Sequence, residues 1–218
     1  NSTTIYGGSS SNTTDGDDLI DIGGTASVSQ LWGNQGKDQL SVDSHITAVS
    51  LIGGDGNDTL QVGGNVTSAS SISGGSGNDS LTVKGTVTAT SSLLGEAGDD
   101  TIVIAGDLDN KAIVDSGAGA DKIDVVAKVG EDASLVGGDG NDSITITSTL
   151  SKGLVYGNAG DDRVVVAGGS TAASIYGGAG NDLISVSGGI TSDKLFGNSG
   201  DDSFVLGGYI TETTVDVG

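Results

Sequence analysis

Leu51-Ile-Gly-Gly-Asp-Gly-Asn-Asp-Thr-Leu-Gln-Val62 returns, scarcely altered, as Ile72-Ser-Gly-Gly-Ser-Gly-Asn-Asp-Ser-Leu-Thr-Val83. It returns again as Leu135-Val-Gly-Gly-Asp-Gly-Asn-Asp-Ser-Ile-Thr-Ile146, and once more from Ile175 to Val186. Looser copies fill the chain on both sides. Counted from the first apolar residue, the units start at Ile5, Leu31, Leu51, Ile72, Leu93, Val114, Leu135, Val155, Ile175 and Leu195. The spacing is 20 or 21 residues, except for 26 in the first unit, where an insertion from Ser9 to Asp15 lengthens the loop.

Each unit has the same internal grammar. A six-residue loop, Gly-Gly-x-Gly-Asn-Asp in its commonest form, is followed by polar-apolar alternation, the period of a half-buried strand. The inward positions run from Ile20/Ile22 and Leu40/Val42 to Ile184/Val186 and Phe204/Leu206, and all are apolar. A second turn follows, often Gly-Gly, and a second strand such as Val66 to Ile72 leads to the next loop. Such a unit cannot close a core alone, but stacked copies bury a continuous apolar column. Strands of successive units run the same way, and their crossovers are expected to be right-handed. The expected fold is all-β: a right-handed parallel β-solenoid, or β-roll, of ten 20–21-residue coils, forming one domain over residues 1–218. No segment sustains a 3.6-residue period, so no helix is expected.

Composition bounds the chemistry. The 218 residues carry 29 acidic and 8 basic side chains, a formal charge of −21, with 40 glycines and no proline, cysteine or methionine. Without a basic patch, nucleic acid is excluded as a partner, and anionic lipid surfaces are disfavoured. Neither a disulfide framework nor a thiolate metal site is possible. No apolar run is long enough for a spanning helix, so direct membrane insertion is not expected. The chain opens at Asn1 without a leader pattern, which suggests a piece of something larger.

Stacking gives the loops an electrostatic consequence. Their last position is aspartate in all ten units: Asp18, Asp38, Asp58, Asp79, Asp100, Asp121, Asp142, Asp162, Asp182 and Asp202. In register these carboxylates would stand roughly 5 Å apart and repel by roughly 3 kcal/mol per pair at an effective dielectric of about 20. Either protons stay on or cations sit between coils. The fourth loop position is glycine throughout, which lets carbonyls turn inward as hard oxygen ligands. Carboxylate plus carbonyls is the ligand set of Ca²⁺. Softer metals lack partners, since there is no cysteine and the single histidine is His45.

The loop plus strand, Gly-Gly-x-Gly-x-Asp-x-apolar-x, resembles the nonapeptide of RTX (repeats-in-toxin) proteins, once per coil along the whole chain. The resemblance implies a Ca²⁺-filled β-roll, type I secretion and folding on meeting extracellular calcium. It also implies ligands from carbonyls at loop positions one to four and from the position-six aspartate. Here those carbonyls belong to Gly53, Gly54, Asp55 and Gly56; to Gly74, Gly75, Ser76 and Gly77; to Gly137, Gly138, Asp139 and Gly140; and to Gly177, Gly178, Ala179 and Gly180. The usual β-roll has calcium loops on both edges. This chain has one acidic loop per coil, so a single row of ions on one edge is expected, as in one-sided calcium solenoids of bacterial surface proteins. Lys37 and Ala120 replace the usual Asn or Asp at position five, Glu96 the second glycine and Ser116 the first. The first, second and sixth loops are the ones expected to be weak or empty.

The function expected from this resemblance is structural, not enzymatic: a calcium-dependent module of a secreted bacterial surface-layer protein, giant adhesin or surface filament. The alternative is a Ca²⁺-loaded polysaccharide-binding module. Besides calcium, self-association or surface glycans are the expected partners. The eight basic residues are scattered, which favours the structural reading. Tyr6, Trp32, Tyr156, Tyr176 and Phe196 recur just before the loop, either as a packing ladder or as a platform for glycans. Threonines align at Thr47, Thr67, Thr88, Thr171, Thr191 and Thr211, but the third loop position lacks the Thr of ice-binding solenoids. Paired carboxylates such as Asp161-Asp162 are the repeat pattern itself, not a unique catalytic constellation. Asn12-Thr13-Thr14 and Asn65-Val66-Thr67 match a glycosylation sequon, as chance allows in so Ser/Thr-rich a chain.

Overall fold

A computed structural model describes residues 3–7, 16–27 and 29–218. The insertion Ser9–Asp15 and the Asn12 sequon lie outside the described residues. Those residues form strands and turns, with no helix among them. The repeat spacing becomes parallel, in-register pairing: Leu51 stands beside Ile72, Ile72 beside Leu93, and Leu135 beside Val155. Ile5 pairs with Leu31, so the 26-residue first unit keeps the register of the others.

Each coil has three sides rather than two. One sheet has eleven strands, from Thr3–Tyr6 through Ser50–Asp55 and Ser71–Ser76 to Thr214–Asp216. A second has ten, from Leu19–Ile22 through Thr59–Val62 to Ser203–Leu206. The third side is made of two-residue strands: Ala26–Ser27, Ile46–Thr47 and Val66–Thr67 in one sheet, and Leu150–Ser151 to Ile210–Thr211 in another. The sequence reading of a single second strand from Val66 to Ile72 is therefore corrected. A corner at Ser68 and Ala69, both in the left-handed region (φ 57° and 56°), splits it. The loop is also shorter than its motif, because positions one to three continue the long strand, as in Ser50–Asp55.

The alternation of 20 and 21 has its cause at this corner. The inward residue of the third side precedes the long strand's first core residue by five positions in the short coils (Ile46 to Leu51) and by six in the long ones (Val66 to Ile72). The added residue leaves both large sheets in register. Its effect is local: through the long coils the third side is reduced to single bridges, Val66 to Val87, Leu108, Val129 and Leu150 in turn.

The core is a set of apolar columns, one behind the first side, two behind the second and one behind the third. Leu51, Leu60, Val62 and Val66 are buried in one coil, and Ile72, Leu81, Val83 and Val87 in the next. The cover thins at the last coil, where Phe204 and Leu206 are partly buried and Ile210 is 50% exposed.

Candidate metal centre

The repeated loops line one edge, and the last two positions of most loops clamp neighbouring coils in opposite directions. At position six, the backbone N–H of each aspartate donates to Oδ1 of the aspartate one coil later. Nine such bonds, 2.7–2.9 Å long, link Asp18 to Asp202. At position five the side chain reaches the other way. Asn57 Oδ1 accepts from Asn78 N–H at 2.9 Å, and Asn141 Oδ1 from Asp161 N–H at 2.8 Å. The motif signalled an Asn or Asp at position five but not this role. Lys37 and Ala120 supply no such acceptor.

With Oδ1 held, the second carboxylate oxygen is left over. Oδ2 of Asp18, Asp58, Asp79, Asp100, Asp121, Asp142, Asp162, Asp182 and Asp202 is buried without a hydrogen-bond partner. Asp38 is fully buried in the same column. Orphaned buried carboxylate oxygens are costly. At Asp79, Asp100, Asp142 and Asp162 burial raises the carboxyl, the accepted N–H lowers it, and aspartates of adjacent coils raise it further. From an ordinary 3.8, Asp79 and Asp142 are pushed to about 6, and Asp100 and Asp162 to about 7. Asp58, Asp121 and Asp182 are raised too, chiefly by burial.

Backbone oxygens meet these carboxylates. A Cβ on Gly137 would stand 2.5 Å from Asp142 Oδ2 and 2.8 Å from the Gly157 carbonyl oxygen, so the first glycine keeps a cleft free where the two converge. Position-one carbonyls face the preceding coil in this way. Those at positions two and four face the following coil, and a Cβ on Gly75 or Gly77 would collide with Gly54 O or Gly56 O. From Gly36 to Gly200 the fourth position has φ between 122° and 145°, which explains why it is glycine in those nine loops. The second accepts Asn34, Glu96, Asn158 and Asn198 at φ 76–83°. Carbonyls at position three accept the position-four N–H of the preceding coil, as Ser76 O does from Gly56 at 2.7 Å. Every convergent donor is a hard oxygen, which suits Ca²⁺. Among the described residues no three His, Cys, Asp or Glu side chains cluster as a metal site, so the set depends on the backbone.

The other sequence candidates resolve geometrically. Tyr156, Tyr176 and Phe196 stack at 5.1 and 5.3 Å, within 6° and 9° of parallel. Both faces of Tyr176 and one face each of Tyr156 and Phe196 are spent on neighbouring rings, which is the packing ladder and leaves little flat ring for a sugar. Tyr6 and Trp32 are tilted by 31° at 6.5 Å. His45 is exposed, and its Nδ1 accepts Asn65 N–H at 2.8 Å. One buried polar pair has no repeat signature. Asp193 and Ser170, each 1% exposed, take places in columns otherwise small or apolar, and Asp193 Oδ2 and Ser170 Oγ make no hydrogen bond.

A family model, the RTX calcium-binding nonapeptide repeat (4 copies), matches residues 50–65, 68–83, 130–145, 154–172, 174–192 and 185–208, just under half of the chain. A search of curated proteins by sequence finds no match. Among solved structures, the crystal structure of a hyperactive, Ca²⁺-dependent, β-helical antifreeze protein from an Antarctic bacterium is similar. Its TM-score is 0.58 at 23% identity, over 98% of this chain and 80% of that one. At that identity the likeness concerns the fold. No helix among the described residues is long and apolar enough to cross a membrane.

Proposed function

This chain carries RTX calcium-binding nonapeptide repeats and is a calcium-binding β-roll, and on that premise we propose that it is a calcium-stiffened structural module of a secreted bacterial surface protein. A surface layer, a giant adhesin or a surface filament would each use such a rod. The observation that carries this reading is the buried column of carboxylate oxygens without partners from Asp58 to Asp202. Bare, it opposes folding; neutralised, it ties each coil to the next.

In this reading each gap is held by the aspartate and the position-two and -four carbonyls of one loop, with the position-one carbonyl of the next. For one gap these are Asp58, Gly54, Gly56 and Gly74. Calcium, when bound, supplies the positive charge those oxygens lack. The chain's residues do the positioning: the accepted N–H holds each carboxylate in place, and the absent side chain at position one keeps the cleft clear. The chain would leave the cell unfolded, where calcium is scarce, and fold outside. The module is structural rather than catalytic, since its paired carboxylates recur in every coil instead of marking one place. The glycan-binding alternative loses support from the stacked Tyr156, Tyr176 and Phe196 rings.

Circular dichroism during a calcium titration, with magnesium as control, tests the proposal. The β signal is expected to develop at roughly 0.1–1 mM Ca²⁺, the range of extracellular sites. A chain equally folded in excess chelator at neutral pH would overturn it.

A further inference from the structure

We propose that the gap between the sixth and seventh loops takes no cation, because the Ser116 Cβ obstructs the cleft and its hydroxyl proton occupies a carbonyl oxygen that the ion would use. This rests on the calcium reading above. Position one is glycine in the loops at Gly33, Gly53, Gly74, Gly95, Gly137, Gly157, Gly177 and Gly197. Ser116 departs from this at the one place where a Cβ enters the cleft. Its side chain is turned inward, with the residue fully buried, and its Oγ donates to Gly137 O at 2.7 Å. Gly137 O is the position-one carbonyl of the following coil, the oxygen that the reading assigns to the ion in that gap. Here a hydroxyl proton satisfies it, and carbon and oxygen atoms occupy space that is free elsewhere.

The change is confined to one gap. The Ser116 carbonyl still faces Gly95 and Asp100, as its glycine counterparts do in their coils, so the gap before it keeps its oxygens. The next cleft, between Asp142 Oδ2 and Gly157 O, is also kept. Ala120 in the same loop provides no side-chain acceptor for Asn141 N–H, so this junction lacks the position-five clamp as well. The row of ions is thus divided into two blocks that load separately, joined by a junction whose loop edge is held without metal.

Native mass spectrometry of the full chain in calcium, comparing wild type with Ser116→Gly and Ser116→Ala, tests this by counting ions. Ser116→Gly reopens the cleft and is expected to carry one ion more than wild type. Ser116→Ala keeps the obstructing Cβ and is expected to carry the wild-type number. An unchanged or lower count in Ser116→Gly overturns the proposal. So does the loss of one ion in Ser116→Ala, which would make the hydroxyl a ligand; that outcome overturns the proposal even if Ser116→Gly fails to fold. Absence of ions from all three proteins is a different failure, since it removes the calcium reading itself.

Discussion

The backbone N–H of Asp79 donates to Oδ1 of Asp100, 2.7 Å away and one coil further on. The same carboxylate therefore has two separate tasks. One oxygen fastens the preceding coil, and the other stands buried with no partner. An amide can perform the first task but not the second.

Asp100→Asn should consequently change sign with conditions. In chelator the variant keeps the accepting Oδ1 and sheds a buried charge, so the metal-free fold should gain roughly 1–3 kcal/mol. In saturating calcium it should be less stable than wild type and bind fewer ions. Paired thermal melts with and without calcium check this, and destabilisation of similar size in both would refute the division of labour.

Acidity should act on the metal-free chain in the direction opposite to ordinary acid denaturation. Folded-state values near 6 for Asp79 and Asp142, and near 7 for Asp100 and Asp162, lie above the ordinary 3.8. The folded state therefore holds more protons than the unfolded state between those limits, and stability rises as pH falls through about 7 towards 4. Calcium affinity should fall over the same window as protons compete for the carboxylates. Circular dichroism of chain stripped of metal, from pH 8 to pH 4, should show β signal growing; a decline would contradict the burial of these groups.

Thr90 is β-branched yet sits at φ 59° on the corner of a 21-residue coil. That conformation costs an L-residue roughly 1–2 kcal/mol, against a smaller loss of glycine entropy in the unfolded chain. Thr90→Gly should therefore raise stability by roughly 1 kcal/mol in calcium. Denaturant titration measures it, and a loss of stability would mean that its hydroxyl, which donates to Ala89 O at 2.6 Å, matters more than the backbone.

The Asp193–Ser170 pair offers a test inside the core. Asp193→Asn keeps the Oδ1 that accepts Ala173 N–H at 2.8 Å and removes a buried carboxylate charge whose Oδ2 makes no hydrogen bond. The variant should be more stable by about 1–3 kcal/mol. Thermal melts in calcium read the difference, and a loss of stability would mean that the charge itself is held in the fold.

Much of the molecule was visible as pattern. Ile20/Ile22 through Phe204/Leu206 marked one wall of the core, and the spacing of Leu51 and Ile72 announced their pairing. Asp58 and its equivalents were identifiable as a row of charges before any coordinate was known. The corner at Ser68–Ala69 was not, because Ser and Ala carry no turn signal and adopt positive φ only under the demands of closure. Ser116 was visible as a departure, but the acceptor of its hydroxyl, Gly137 O, was not.

Periodicity alone determined that like residues stack on like, since a repeat of 20 or 21 leaves a strand no other register that keeps its apolar positions inside. Tertiary structure decided which way each stacked group faces. It turned one aspartate oxygen to a neighbour's N–H and left the other bare, spent the Tyr176 faces on adjacent rings, and put the extra residue of the long coils at a corner. Those outcomes depend on peptide and side-chain rotations set by atoms a full coil away, and such distances have no local signature in the order of residues.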